Sequence, residues 1–331
     1  MAENSKIEWT HHTANLWHGC VKVHEGCDNC YAEKLAKRWG NDVWGVDKPR
    51  KEIKSVFDDL LRYQKLAAEA GEIHRVFVGS MMDIFEKPMP LIDSNLVGKG
   101  YSTDALRRSF FKNIDTRIYP NLMFLLLTKR PSNINKYVPN HWLFDPPKNV
   151  MFGCSVSNQK TYSDLMTQLL TVEGRRFLSI EPQTDAIDLG DGVGIDWIIQ
   201  GGESGPHKRA FDLDWARVMQ KQCRDKGIPY FFKQIDKVQP IPAELMVREF
   251  PDYEVDFWNI PVENGLCELC KNNTMVTKTE HDGVLCYDCC GETMNCFGCG
   301  AFAGGQDDYE LSEIGHYCGN CQEQINDSEN Y

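Results

Sequence analysis

Through the first 235 residues short apolar runs alternate with longer amphipathic stretches, and this rhythm constrains the fold more than any other feature of the chain. The runs Met123-Phe-Leu-Leu-Leu127 and Trp197-Ile-Ile199 are apolar at every position. That is the pattern of strands covered on both faces, since a half-exposed strand would alternate. Strands are predicted near residues 14–19, 75–80, 122–128, 149–155, 176–181, 196–201 and 229–233. Amphipathic helices are predicted over 31–39, 55–69, 103–113, 159–171 and 212–226. Strand and helix in turn describe a parallel α/β protein, and both an open doubly wound sheet and a closed or partial barrel satisfy that order. In either, ligands gather at the carboxyl ends of the strands. Those ends are polar here: Ser80-Met-Met-Asp83, Thr128-Lys129-Arg130, Ser155-Val-Ser157, Glu181-Pro182-Gln183, Gly201-Gly202-Glu203-Ser204-Gly205 and Lys233-Gln234.

The cysteines divide into two chemistries. Near the amino end, Cys20, Cys27 and Cys30 form a set of three, and three thiolates can hold three irons of a 4Fe–4S cluster and leave the fourth open. The competing reading is a zinc knuckle completed by His18 or His24. The other end carries two quartets, Cys267, Cys270, Cys286 and Cys289, then Cys296, Cys299, Cys318 and Cys321, both at zinc-ribbon spacing. A tail of about 65 residues with few large aliphatics needs metal for its folding energy, so two zinc ions are expected. The quartets pair in sequence or cross-braced, and auxiliary iron–sulfur clusters are the alternative occupants. Cys154 and Cys223 read as small core residues, and Cys290 is left over.

At 331 residues the chain has length for one large domain and one small one. The expected boundaries are a barrel over 1–235, a Pro- and aromatic-rich segment over 236–264 that wraps it, and a metal-bound tail over 265–331. The net charge of −12 is concentrated in that tail: residues 251–331 hold sixteen Asp and Glu against two Lys and Arg, which leaves 1–250 at +2. Such an acidic tail is a poor phosphate binder, and the chain lacks the excess of cations that tight nonspecific DNA binding demands. The start has no apolar core of a secretory signal, and Leu122–Leu127 is too short to cross a bilayer. Cysteines at metal-ligand spacing suit a reducing compartment, so a cytoplasmic location is expected.

Taken together, Ile7-Glu-Trp-Thr10, Trp17-His-Gly-Cys20, Gly26-Cys-Asp-Asn-Cys-Tyr-Ala-Glu33, Gly79-Ser-Met-Met-Asp-Ile-Phe85, Leu127-Thr-Lys-Arg-Pro131, Gly201-Gly-Glu-Ser-Gly205 and Phe231-Phe-Lys-Gln234 recur in order over residues 5–235. In these motifs the chain resembles a phage-associated radical-SAM family with a wide three-cysteine motif. It departs from the usual radical-SAM spacing, Cx6Cx2C standing in place of Cx3Cx2C. The resemblance implies a partial (β/α)6 barrel, a 4Fe–4S cluster on Cys20, Cys27 and Cys30, and S-adenosylmethionine (SAM) cleaved reductively to a 5′-deoxyadenosyl radical. It also implies cofactor contacts. Asp83 would meet the SAM amine, its alternative being a helix N-cap. Lys129 with Arg130 would meet a carboxylate, the alternative being a solvated turn. Ser155, Ser157 and the turn of Gly201, Gly202 and Glu203 complete the set, and Glu181 with Lys233 reads either as substrate contacts or as an ion pair in the barrel mouth. Similar proteins are phage-encoded, and some resemble the radical-SAM isomerases of thymidine hypermodification, where an amino acid attached to the thymine methyl group is rearranged. The expected activity is thus rearrangement of an amino-acid-modified thymine in DNA, fed by a flavodoxin- or ferredoxin-type electron donor, in the host cytoplasm. A radical-SAM enzyme acting on a peptide or small metabolite, and a zinc-stabilised binding module without radical chemistry, are the alternatives.

Overall fold

The computed structural model describes residues 5–92, 102–191 and 194–252 throughout, and from 253 onward only the backbone of short strands. The chain divides into two units, residues 1–114 with 121–257 and residues 115–120 with 258–331. In chain order the first unit contains β1 (His12–Ala14), β2 (Trp17–His18), α1 (Tyr31–Arg38), β3 (Arg50–Glu52), α2 (Val56–Ala70), β4 (His74–Val78), β5 (Leu91–Ile92), α3 (Thr103–Asp115), β6 (Leu122–Thr128), α4 (Ile134–Tyr137), β7 (Val150–Val156), α5 (Gln159–Leu169), β8 (Arg175–Ile180), β9 (Trp197–Gly201), α6 (Leu213–Lys226) and β10 (Tyr230–Gln234).

Seven strands form one wholly parallel sheet in the order β1-β4-β6-β7-β8-β9-β10. Five helical predictions fall on α1, α2, α3, α5 and α6, and six of the seven strand predictions fall on β4 and β6–β10 to within two residues. The first strand differs. The predicted run 14–19 is divided between β1 in the main sheet and β2 in a small sheet with β3 and β5. The division falls at Asn15, whose side chain accepts from Met81 N at 2.7 Å and donates to Ser80 Oγ at 2.8 Å, so the chain leaves the barrel wall there. The sheet also holds one strand more than the expected six-unit barrel, and the step from β8 to β9 has no helix among the described residues.

The sheet is curled. β4 and β9 stand four strands apart, about 19 Å on a flat sheet at the usual spacing. Yet the Trp9 ring lies 4.7 Å from Phe77 of β4 and 6.2 Å from Trp197 of β9. Phe77, Met123, Leu125, Met151, Phe177, Trp197, Ile199 and Phe231 meet around Trp9 as one interior cluster, to which β4 and β6–β10 all contribute. Alternate residues face the helices, and Cys154 is among them, fully buried on that side, as Cys223 is in α6. Both are core residues.

Beyond β10 the chain doubles back. Phe232 N donates to Val247 O and Glu249 N to Tyr230 O, both at 3.0 Å, so this stretch pairs with the last strand and covers an edge that would otherwise present open backbone groups. Phe250 then closes the amino end of the barrel, under the Arg75 guanidinium at 3.9 Å and against Trp197 and Phe231. The described part of the segment expected to wrap the barrel thus runs along β10 and its base. Its remainder lies outside the described residues.

In the second unit the backbone forms antiparallel strands: β11 (Val262–Leu266), β12 (Asn273–Lys278) and β13 (Val284–Cys286) in one sheet, β14 (Met294–Asn295) with β15 (Phe302–Ala303), and β16 (Glu310–Ser312) with β17 (Gly315–Tyr317). The zinc-ribbon quartets fall in this unit. Of their cysteines only Cys286 lies in a described strand, and the side chains of all eight lie outside the described residues. Among the described residues no helix is long and apolar enough to cross a membrane.

Three histidines gather where β1 and β4 begin. His12 Nε2 and His74 Nδ1 are 3.0 Å apart, His11 stacks on His74, and His12 stacks on Tyr63 of α2. Burial first, then Arg75 and the neighbouring imidazoles, pull His11 down to about 3; burial, His74 and Arg62 pull His12 down to about 4. The unfolded chain takes up these protons near pH 6.5 while the folded chain refuses them, so their stabilisation is complete above pH 6.5 and is lost as the pH falls toward 4. Urea unfolding at pH 7 and pH 5 should show this loss, and His12→Phe, which keeps the stack on Tyr63, should reduce it.

Candidate active site

The carboxyl ends of the strands surround a cavity of about 310 Å³. Trp9 and Phe77 form its apolar base, and Cys20, Cys27 and Cys30 all line it. The loop carrying these cysteines is docked on the strand ends at several points. Gly19 N donates to Met81 O at 3.1 Å and Gly45 N to Cys20 O at 3.0 Å. His24 Nδ1 accepts from Gly26 N at 3.1 Å and caps the short turn Glu25–Cys27. Cys30 leads directly into α1, whose Ala32 and Ala36 pack with Val43 and Met81. Between the second and third cysteines, Asn29 donates to Glu203 Oε2 at 3.0 Å. Arg209 N and Nη2 donate to the same carboxylate at 2.8 and 2.7 Å. Burial would raise the pKa of Glu203, but these donors outweigh it and hold it below the ordinary glutamate value.

Behind the loop lies a buried ion pair. Arg50 Nε and Nη2 donate to the two oxygens of Glu86 at 2.6 and 2.7 Å, and both side chains are shielded from solvent. Arg50 Nη1 also donates to Lys48 O at 2.6 Å and to Val43 O at 3.0 Å, which fixes the segment whose Gly45 bonds Cys20.

The expected contact residues divide. Asp83, Lys129, Ser155, Gly202 and Glu203 line the cavity; Ser157 and Gly201 do not. Ser157 is buried beneath the cysteine loop, where a Cβ on Gly26 would come within 2.3 Å of its Oγ. Gly202 serves a close approach of backbone, since a Cβ there would lie 2.0 Å from Ile235 O. Both oxygens of Asp83 have protein partners: Thr128 Oγ1 and Phe85 N donate to Oδ1 at 2.7 and 3.0 Å, Arg130 Nη1 and Lys129 N to Oδ2 at 2.6 and 3.1 Å. Glu181 and Lys233 form the ion pair, at 2.5 Å in the cavity wall, and Ser155 Oγ donates to Glu181 O at 3.3 Å. The Lys129 ammonium has no hydrogen bond or ion pair among the described residues.

Three cysteines on one cavity fit a cubane cluster, in which each thiolate takes a different iron and the sulfurs need not converge. A tetrahedral zinc site needs convergence. Among the described residues no three His, Cys, Asp or Glu side chains provide it, and His24 holds its turn through Nδ1. Burial, then Asp83, push the Cys20 thiol up to about 12 against the opposing pull of Arg130, so this sulfur keeps its proton unless a metal takes its place.

The family model described as "Protein of unknown function (DUF5131)" matches residues 4–285. The chain belongs to this family. No curated protein matches it. Among solved structures it is similar to a mutant of spore photoproduct lyase, with 13% identity over 70% of this chain and 79% of that one and a TM-score of 0.44. It is also similar to spore photoproduct lyase complexed with dinucleoside spore photoproduct, with 14% identity over 63% and 58% and a TM-score of 0.33.

Asn15, Arg50, Glu86 and Arg209 escaped the sequence reading. Arg50 and Glu86 stand 36 positions apart and Glu203 and Asn29 stand 174 apart, so no local spacing marks either pair. Removing one partner of a buried ion pair strands the other, at a cost of about 3–5 kcal/mol. Glu86→Ala should therefore lower the urea unfolding free energy by about that amount, and Lys37→Ala, on the exposed face of α1, should leave it nearly unchanged.

Proposed function

We propose that this chain is a radical-SAM enzyme in which Cys20, Cys27 and Cys30 hold a 4Fe–4S cluster. One observation carries the proposal: three cysteines with six and two residues between them open together on a cavity at the end of a curled parallel sheet where ligands bind. When bound, cluster and SAM would supply one-electron cleavage of the sulfonium bond and an adenosyl radical that takes hydrogen from a substrate. The residues of the chain bind, orient and shield. Lys129, whose ammonium has no partner among the described residues, is assigned to the SAM carboxylate, a charge-assisted contact. Ser155 and the Gly202–Glu203 turn border the same space. Trp9 and Phe77 exclude water from below, which protects a radical from unwanted hydrogen donors.

The substrate we assign is an amino-acid-modified thymine in phage DNA, rearranged in the cavity with electrons from a flavodoxin- or ferredoxin-type donor. The order of motifs over residues 5–235 supports that assignment. We assign two zinc ions to the tail quartets, on the strength of their spacing. Anaerobically purified full-length protein should be brown, contain iron and sulfide in equal amounts besides two zinc per chain, and release 5′-deoxyadenosine from SAM under dithionite. Colourless protein containing zinc alone would favour a binding module. Nucleoside mass spectrometry of modified DNA after incubation should show a modified thymidine converted to an isomer of equal mass, and unchanged DNA would favour a peptide or small-metabolite substrate.

A further inference from the structure

The guanidinium of Arg130 touches the cysteine loop at two points. Nη2 donates to Val21 O at 2.6 Å, and Nη1, which donates to Asp83 Oδ2 at 2.6 Å, also stands 3.8 Å from Cys20 Sγ. The group cannot easily swing away. Asp83 is itself fixed by Thr128, Phe85 and Lys129, and Arg130 N donates to Thr128 Oγ1 at 2.9 Å. Arg130 and Asp83 are only 13% and 6% exposed, so water screens this arrangement little. The row carboxylate, guanidinium, sulfur presents the positive end of a fixed ion pair to the first cysteine of the triplet.

We propose that Arg130 is a positioning residue that donates to the Cys20 sulfur and sets the reduction potential of the cluster held there, with Asp83 as its counterweight. The inference rests on the reading of the triplet as cluster ligands. Hydrogen bonds and charge at the ligating sulfurs are among the determinants of such potentials. Reduction adds one electron, from dithionite in the test, and takes the cluster core from 2+ to 1+ with no bond made or broken. A cationic donor at the sulfur stabilises the more negative state and raises the potential, and a carboxylate behind it offsets part of that gain.

The two residues therefore predict shifts of opposite sign, which a merely structural role would not produce. Full-length protein and its Arg130→Met and Asp83→Asn variants would be reconstituted anaerobically with iron and sulfide, without SAM. Midpoints would be read by dithionite titration followed by electron paramagnetic resonance, beside iron and sulfide content. The expected result is a more negative midpoint for Arg130→Met and a more positive one for Asp83→Asn. An Arg130→Met protein with normal iron content and an unchanged midpoint would overturn the assignment. If that variant retains no cluster, Asp83→Asn decides: a positive shift supports the proposal, and a negative one or none overturns it. If the wild-type protein takes up no iron or sulfide, the reading of the triplet has failed, and the role of Arg130 falls with it.

Discussion

A parallel sheet buried on both faces must fill its interior with its own side chains, and the rest of this molecule follows from how that is done. β4 and each of β6–β10 send an apolar side chain toward Trp9, and burial of that surface favours the curl of the sheet. The aromatic contacts continue to Phe250, which seals one end. With the lower interior filled by these side chains, the cavity that the cysteines line opens at the other end, where the strands run out into polar loops.

At that open end the problem changes from filling space to holding a loop. Residues 19–30 contribute little apolar surface, so the loop is held by hydrogen bonds from four directions: Met81 after β4 accepts from Gly19, the Gly45 segment fixed by Arg50 and Glu86 bonds Cys20, Arg130 after β6, paired with Asp83, donates to Val21, and Glu203 after β9, paired with Arg209, accepts from Asn29. Each of these charged groups is at least partly buried and paired. Buried charges are tolerated only when paired, and removing one partner strands the other. The three sulfurs are presented to the cavity by this network.

Several polar strand-end residues that line the cavity are engaged with protein partners. Asp83 and Glu203, two acids available in principle to a ligand ammonium, give their oxygens to protein donors. Glu181 and Lys233 neutralise each other in the wall. Lys129 is left as a cation without a partner among the described residues, and for that reason it is the stronger candidate for an anionic ligand group. A polar residue at a strand end is thus ambiguous until its partners are known.

The sequence by itself determined the parallel α/β class, five helices, six strands to within two residues, and the three-cysteine loop, because hydrophobic periodicity and ligand spacing are local properties read over a few turns of chain. It also singled out Asp83, Lys129, Ser155, Gly202 and Glu203, since strand ends can be located once the strands are known. Only the tertiary structure decided that Ser157 and Gly201 stand outside the cavity, that the first predicted strand divides at Asn15, and that Asp83 and Glu203 hold Arg130 and Asn29. The physical reason is that curl and register bring residues such as Asn29 and Glu203, or Cys20 and Arg130, together from more than a hundred positions apart. No local pattern records which distant donor will reach a given oxygen, because that depends on the packing of the whole interior.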